Sequence, residues 1–268
     1  MLRFVVPLLT IACSAAVPRA AQTCNGPVSC GREQLVEADQ ALLHAMQRRG
    51  TAEALSEAAL DDVKLLAEGQ GVVSGKEGVV TALRALPPLA WTMARADVSA
   101  DAELGYSFGW MAKGHYAAVW RRQNGEWKIA VFLHKAAETQ SAAPPTWFAP
   151  FRGERAQGPK AAYTVAATDS AFAAFAQKVG TQAAFTAYAA QDAVQLARTM
   201  VFGREAIHEL FNASPVIQWG PIAGDAAHDL GWTVGAWTIG ATRGNYLTVW
   251  RLQPDGSWRY ILDGGVTG

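Results

Sequence analysis

Apolar positions along this chain change period in the same order twice. Leu35, Leu42 and Met46 fall on one stripe with Val36 and Leu43 beside it, the spacing of an amphipathic helix, and Gly50 stops it. A matching stripe of Phe172, Phe175 and Val179 is stopped by Gly180. A second short helix follows each, over Thr51 to Ala59 and Thr181 to Ala189. The chain leaves it through Asp61-Asp62-Val63 or Gln191-Asp192-Ala193 and enters a short strand. A glycine-started helix comes next, at Gly75 and at Gly203, with Trp91 and Trp219 at equal distances beyond.

The remainder of each half reads as β. Leu104-Gly105-Tyr106-Ser107-Phe108-Gly109 matches Leu230-Gly231-Trp232-Thr233-Val234-Gly235. Gly114-His115-Tyr116-Ala117-Ala118-Val119-Trp120-Arg121 returns as Gly244-Asn245-Tyr246-Leu247-Thr248-Val249-Trp250-Arg251. Asn124-Gly125 and Asp255-Gly256 then predict hairpin turns into strands that start at Trp127 and Trp258. The offset between copies is 130 at Gly50 and Gly180, 128 at Trp91 and Trp219, 126 at Gly105 and Gly231, and 131 at Trp127 and Trp258. It shifts between elements and holds within them, as loops tolerate insertions and strands do not. A repeat this long means two copies of one domain. The expected boundaries are 33–137 and 163–268, joined by a Pro-rich segment, 138–162. That segment holds Pro144, Pro145, Pro150 and Pro159 with Trp147, Phe148 and Phe151, and is expected to pack along one domain.

A length of 268 residues, half of them hydrophobic, suits two domains with filled cores. The formal net charge is zero and no basic stripe carries interleaved aromatics, so nucleic acid is not an expected partner. Residues 1–21 read as a signal peptide: Arg3, then an apolar run from Phe4 to Ala12 too short to span a bilayer, then small residues at Ser14-Ala15-Ala16. Thr10-Ile11-Ala12-Cys13 is also a loose lipobox, so a lipid anchor at Cys13 is the alternative. Either way the chain is expected to be exported, most simply to a periplasm, with no transmembrane helix. In the segment 22–32 Cys24 and Cys30 form an even pair, read as a disulfide.

The residues also carry a family likeness. Asp229-Leu230-Gly231-Trp232-Thr233-Val234-Gly235, then Gly244 to Arg251, then Asp255-Gly256-Ser257-Trp258 ending in Leu262-Asp263, resemble the SnoaL-like, ketosteroid-isomerase-like domains of unknown function in the nuclear-transport-factor-2-like superfamily. The first copy departs from that pattern at its end, with Phe132-Leu133-His134. The resemblance implies an α+β fold, two cones each made of a curved antiparallel sheet wrapped around about three helices. It also implies an apolar pocket between sheet and helices, and dimerisation through sheets. Two copies in one chain are therefore expected to form an internal pseudo-dimer.

A carboxylate between apolar walls has its pKa raised by desolvation and can serve as a general acid or base. Asp263 is the leading candidate, with Arg259 and Ile261 expected on its face of the last strand; capping of the strand end or pairing with an arginine is the alternative. His134 is the candidate at the mouth of the first pocket. Asp62 and Asp192 sit where helix gives way to strand, either as rim acids or, more simply, bonded to local backbone. His115 is matched by Asn245, and His228 beside Asp229 lies in a loop. Trp91, Tyr106, Tyr116, Trp219, Trp232 and Tyr246 either line a pocket for a flat apolar ligand or serve as packing. No phosphate loop, nucleophile elbow or metal-ligand spacing occurs, so no cofactor and no metal are expected. The expected function is an exported protein that binds a small apolar molecule. The alternative is a cofactor-independent isomerase, cyclase or hydrolyase with a pocket Asp or His as general acid or base.

Overall fold

The computed structural model of the protein describes residues 24, 26–137, 151, 153–156 and 164–268. The expected signal peptide, Cys13 and most of the Pro-rich segment lie outside them. The first domain runs α1 (Pro27–Arg49), α2 (Thr51–Ala58), β1 (Ala59–Ala67), β2 (Gly71–Ser74), α3 (Lys76–Leu83), β3 (Trp91–Val98), β4 (Leu104–Met111), β5 (Gly114–Gln123) and β6 (Glu126–Ala136). The second repeats it with α4 (Val165–Val179), α5 (Thr181–Tyr188), β7 (Ala189–Leu196), β8 (Met200–Phe202), α6 (Arg204–Leu210), β9 (Gln218–Ala227), β10 (Leu230–Ile239), β11 (Thr242–Leu252) and β12 (Trp258–Thr267). Helix α1 begins ahead of the expected boundary at residue 33, and a Cys24–Cys30 disulfide fastens its first turn. No described helix is long and apolar enough to cross a membrane.

Each domain has one six-stranded sheet, in the orders β2-β1-β6-β5-β4-β3 and β8-β7-β12-β11-β10-β9. All pairings are antiparallel except β1 with β6 and β7 with β12, so the sheets are mixed rather than purely antiparallel. Strands so far apart in sequence can run the same way because the long connection passes over the sheet. The hairpin between β5 and β6 turns at Asn124 and Gly125, φ 52° and 83°, the left-handed pair that a tight right-twisted hairpin requires.

Strand alternation assigns each sheet two different tasks. On β4, Ser107 points to α1 and bonds Asp39, while its neighbours Tyr106 and Phe108 point the other way. Those two rings stack at 6.2 Å and join Ala117, Val119, Val131 and Leu133 in a core shared with the second domain. The matching side of the second sheet supplies Trp232, Val234, Leu247 and Val249. The two domains thus pair through their sheets within one chain.

Charges close the edge of that interface. Asp192 accepts from Arg95 of the first domain at 2.9 Å and from Arg251 at 2.6 Å. It therefore bonds two arginine side chains rather than local backbone. Asp62, its counterpart, is exposed. Arg155 bonds Asp97 of the first domain at 3.0 Å and Asp229 of the second at 2.9 Å. The segment between the domains therefore packs on both, with Phe151 beneath the Arg251 guanidinium at 3.5 Å. Three arginines face three aspartates, so the network is neutral.

Removing one member of such a network strands its partners without compensation. Asp192→Ala leaves the buried Arg95 and Arg251 facing each other and is expected to cost about 3 kcal/mol of stability, measured by urea unfolding. Reduction of Cys24–Cys30, which closes a short loop, is expected to cost about 2 kcal/mol in the same assay, without loss of cooperativity.

Candidate functional site

The helix-facing side of each sheet carries a buried acid on the first helix. Asp39 lies on the stripe of Leu35, Leu42 and Met46, and Asp169 takes the same place between Val165, Phe172 and Ala176. In the first domain Asp39 is fully bonded. It accepts from Trp91 Nε1 at 2.8 Å, Ser107 Oγ at 2.6 Å and Tyr116 Oη at 3.1 Å, and Ser107 accepts from Trp120 Nε1 at 2.9 Å. Burial still holds the Asp39 carboxyl above its usual range. Asp169 accepts from Tyr246 Oη at 2.8 Å, and Trp250 Nε1 donates to Thr233 Oγ1 at 2.9 Å. The indole nitrogen of Trp219, unlike that of Trp91, has no hydrogen-bond partner. Gly235 makes room for this arrangement, because a Cβ there would lie 2.3 Å from the Tyr246 ring.

Three neighbouring strands then separate the copies. In the first sheet Phe132 on β6 is flanked by Ala118 on β5 and Leu65 on β1. In the second the same register places Asp263 on β12 between Thr248 on β11 and Gln195 on β7. Three apolar side chains are thus replaced by three polar ones that bond one another. Thr248 Oγ1 donates to Asp263 Oδ2 at 2.6 Å and Gln195 Nε2 donates to Oδ1 at 2.5 Å. Asp263 is 5 % exposed, and burial pushes its carboxyl up to about 6 against the pull of those two bonds.

Asp263 does not share its face with Ile261 as strict alternation predicts. A bulge in β12 skips Ile261, pairing Trp250 with Tyr260 and Val249 with Leu262. Tyr260 and Asp263 consequently face the helices together, where Tyr260 Oη bonds the Phe185 carbonyl at 3.2 Å.

In the first domain Phe132 closes the equivalent space, with ring centroids 6.1 Å from Trp91 and 6.3 Å from Tyr116. In the second a cavity of about 250 Å³ opens over Asp263. Phe185, Phe211, Trp219, Trp237 and Tyr246 form its aromatic walls. Phe185 stacks on Phe211 at 4.0 Å, and Trp219 meets Phe185 at 5.6 Å and Tyr246 at 5.4 Å. Lys135 also lines it, reaching in from the first domain to bond the Gly265 carbonyl, with Glu68 at 3.8 Å.

Of the residues expected to line a pocket, Trp219, Tyr246 and Asp263 meet here. Trp91 and Tyr116 fill the first cone, and Tyr106 and Trp232 lie on the opposite sheet faces, in the core between domains. His134 is half-buried near the end of β6, its pKa lowered by burial. His115 is fully buried, and the backbone of Ala197 and Arg198 across the domain junction bonds it. Asp39, Asp169, Gln195, Thr248 and Lys135 were not among the sequence candidates. The two acids carry a readable signal, a polar residue on an apolar stripe at the repeat offset.

Asp169 and Asp263 are both held up to about 6, chiefly by burial. A carboxyl whose folded pKa is raised stabilises the fold most below its unfolded value, and that contribution is lost as pH climbs to the folded value. Stability from these two groups is therefore expected to fall between about pH 4 and 6, by on the order of 3 kcal/mol each. Asp263→Asn should melt higher than the parent protein at pH 8 and converge with it near pH 4, a comparison made by thermal unfolding across pH.

No family model and no curated protein matches the sequence. Among solved structures the chain is similar to a ketosteroid isomerase-like protein from Erwinia carotovora atroseptica (17 % identity, 39 % of this chain and 95 % of that one, TM-score 0.34). It is similar to an NTF2-like protein from Cytophaga hutchinsonii (18 % identity, 39 % of this chain and 97 % of that one, TM-score 0.32). An NTF2-like protein of unknown function from Pseudomonas putida (14 % identity, 40 % of this chain and 87 % of that one, TM-score 0.34) is a third. These are similarities of fold.

Proposed function

We propose that the protein is an exported binding protein whose second domain, taken as 163–268, holds a small, largely apolar molecule in the cavity over Asp263. The replacement of Leu65, Ala118 and Phe132 by Gln195, Thr248 and Asp263 at matched register carries this reading. Burying a carboxylate and two polar side chains where apolar ones pack costs stability. The first domain shows that the fold closes without them. The cost has its return in a ligand: apolar walls supply affinity, and one polar cluster at the cavity floor fixes orientation. At about 250 Å³ the cavity is below the usual range for drug-sized ligands, so the molecule is compact, about the size of one substituted ring. The Cys24–Cys30 disulfide supports export, since such bonds persist in oxidising compartments.

A second reading rests on the same residues. A carboxyl held at about 6, in the same cavity as a tyrosine whose hydroxyl donates to Asp169, can remove and return a proton, which is isomerase, cyclase or hydrolyase chemistry without a cofactor.

Ala197 lines the cavity, and Ala197→Phe is expected to fill it. Native mass spectrometry of protein purified from its own envelope should show a bound small molecule that the variant lacks. Recovery of equal ligand by both would remove the cavity as its site. Proton transfer is read separately, as deuterium uptake next to the carbonyl of cyclohexanone followed by NMR. Uptake abolished by Asp263→Asn supports the enzyme, and uptake at the uncatalysed rate rejects it for this ketone.

A further inference from the structure

Aromatic enrichment accompanies the buried acid. The fold positions of Phe185, Phe211 and Trp237 are held in the first domain by Leu55, Leu83 and Met111. Three non-aromatic side chains of the first domain thus correspond to three aromatic ones around the cavity in which Asp263 stands at the place of Phe132. For a neutral apolar guest this exchange adds little, because Leu and Met bury comparable apolar surface. What aromatic rings add is the negative potential of their faces, which attracts a cation.

The charge balance points the same way. Asp263 receives hydrogen bonds from Thr248 and Gln195, both neutral side chains. Four titratable groups act on it or face it. Lys135 from β6 is engaged by the Gly265 carbonyl and by Glu68 at 3.8 Å, and its charge favours ionisation of Asp263. Asp169 from α4 adds a second buried acid, which opposes ionisation of Asp263. Tyr246 on β11 and Tyr260 on β12 are held neutral by burial and by these acids. When Asp263 ionises, the cavity therefore holds a carboxylate between aromatic walls, opposed at its lip by a Lys135 that Glu68 shares.

We propose that the ligand is a small organic cation, an alkylated ammonium or its heterocyclic equivalent, with the Asp263 carboxylate as counter-ion and the aromatic walls of Phe185, Phe211, Trp219, Trp237 and Tyr246 around it. This rests on the binding reading above and narrows it to one charge class. A cation binds the ionised carboxyl, so affinity rises with pH through the Asp263 transition. A neutral ligand that accepts a hydrogen bond from the protonated acid shows the reverse.

The test uses choline and its uncharged carbon isostere 3,3-dimethylbutan-1-ol, titrated into the full protein by tryptophan fluorescence and calorimetry. At pH 8 choline is expected to bind at least tenfold more tightly than the alcohol. That preference should shrink below twofold in Asp263→Asn. Choline affinity in the parent protein should fall at least fivefold from pH 8 to pH 5, which keeps the question open to decision even where the variant fails to fold. Trp237→Met, restoring the first domain's residue, should weaken choline at least threefold and the alcohol less than twofold. Equal or tighter binding of the alcohol overturns the cation and leaves the apolar-binding reading standing. Binding of neither at millimolar concentration overturns both.

Discussion

The constraint on which the structure depends is that each sheet has two apolar faces and only one set of helices. Tyr106, Phe108, Val119 and Leu133 on one sheet, and Trp232, Val234, Leu247 and Val249 on the other, are buried because each sheet covers the other. Helices cannot serve there, since they already occupy the concave sides. Burial without direction would leave the angle between the sheets loose. The Arg95–Asp192–Arg251 and Asp97–Arg155–Asp229 groups fix it, because ions removed from water tolerate little misplacement. Both domains are locked through their backs, and the concave sides are released from holding the molecule together.

That separation explains how two copies of one fold came to differ inside. The first cone is completed by Phe132 over a fully bonded Asp39. The second keeps the acid and its tyrosine but leaves the indole of Trp219 without a partner, and replaces the apolar floor by Asp263, Thr248 and Gln195. Each of these changes alone would weaken a small domain. Together they satisfy one another, and the shared interface carries the remainder. The second cavity is also not wholly its own, because Lys135 of the first domain forms part of its lip.

Much of this architecture is legible in the residues. Helix stripes, tryptophan strands and hairpin turns are local signals, and repetition doubles their weight; the Cys24–Cys30 bond follows from the two cysteines that remain once Cys13 is set aside with the expected signal peptide. The contrast between Asp263 and Phe132 is legible too. The neighbours of Asp263 are less so. Gln195 and Thr248 lie on strands far apart in sequence, and only the register of the sheet makes them adjacent. The companions of Asp263 on its own strand depart from simple alternation for a related reason, since the bulge at Ile261 inverts alternation and leaves no mark in the sequence. Tyr106 and Trp232 resemble pocket aromatics as closely as Tyr116 and Tyr246 do. Which side of a strand meets a cavity depends on what packs behind it, a property of the paired domains.

The strap at Arg155 has a temporal side. The chain is made from its N-terminus, so the first domain is complete before the second exists, and its back presents Tyr106, Phe108 and Leu133 to solvent as an open apolar sheet. The second domain follows on a tether whose Arg155 bonds Asp97 through one nitrogen and Asp229 through the other. Docking within one chain proceeds at an effective concentration set by that tether rather than by the cell's supply of subunits. Duplication in a single polypeptide thus guards the newborn sheet against foreign edges and against its own kind, a protection that two separate chains would have to find by diffusion.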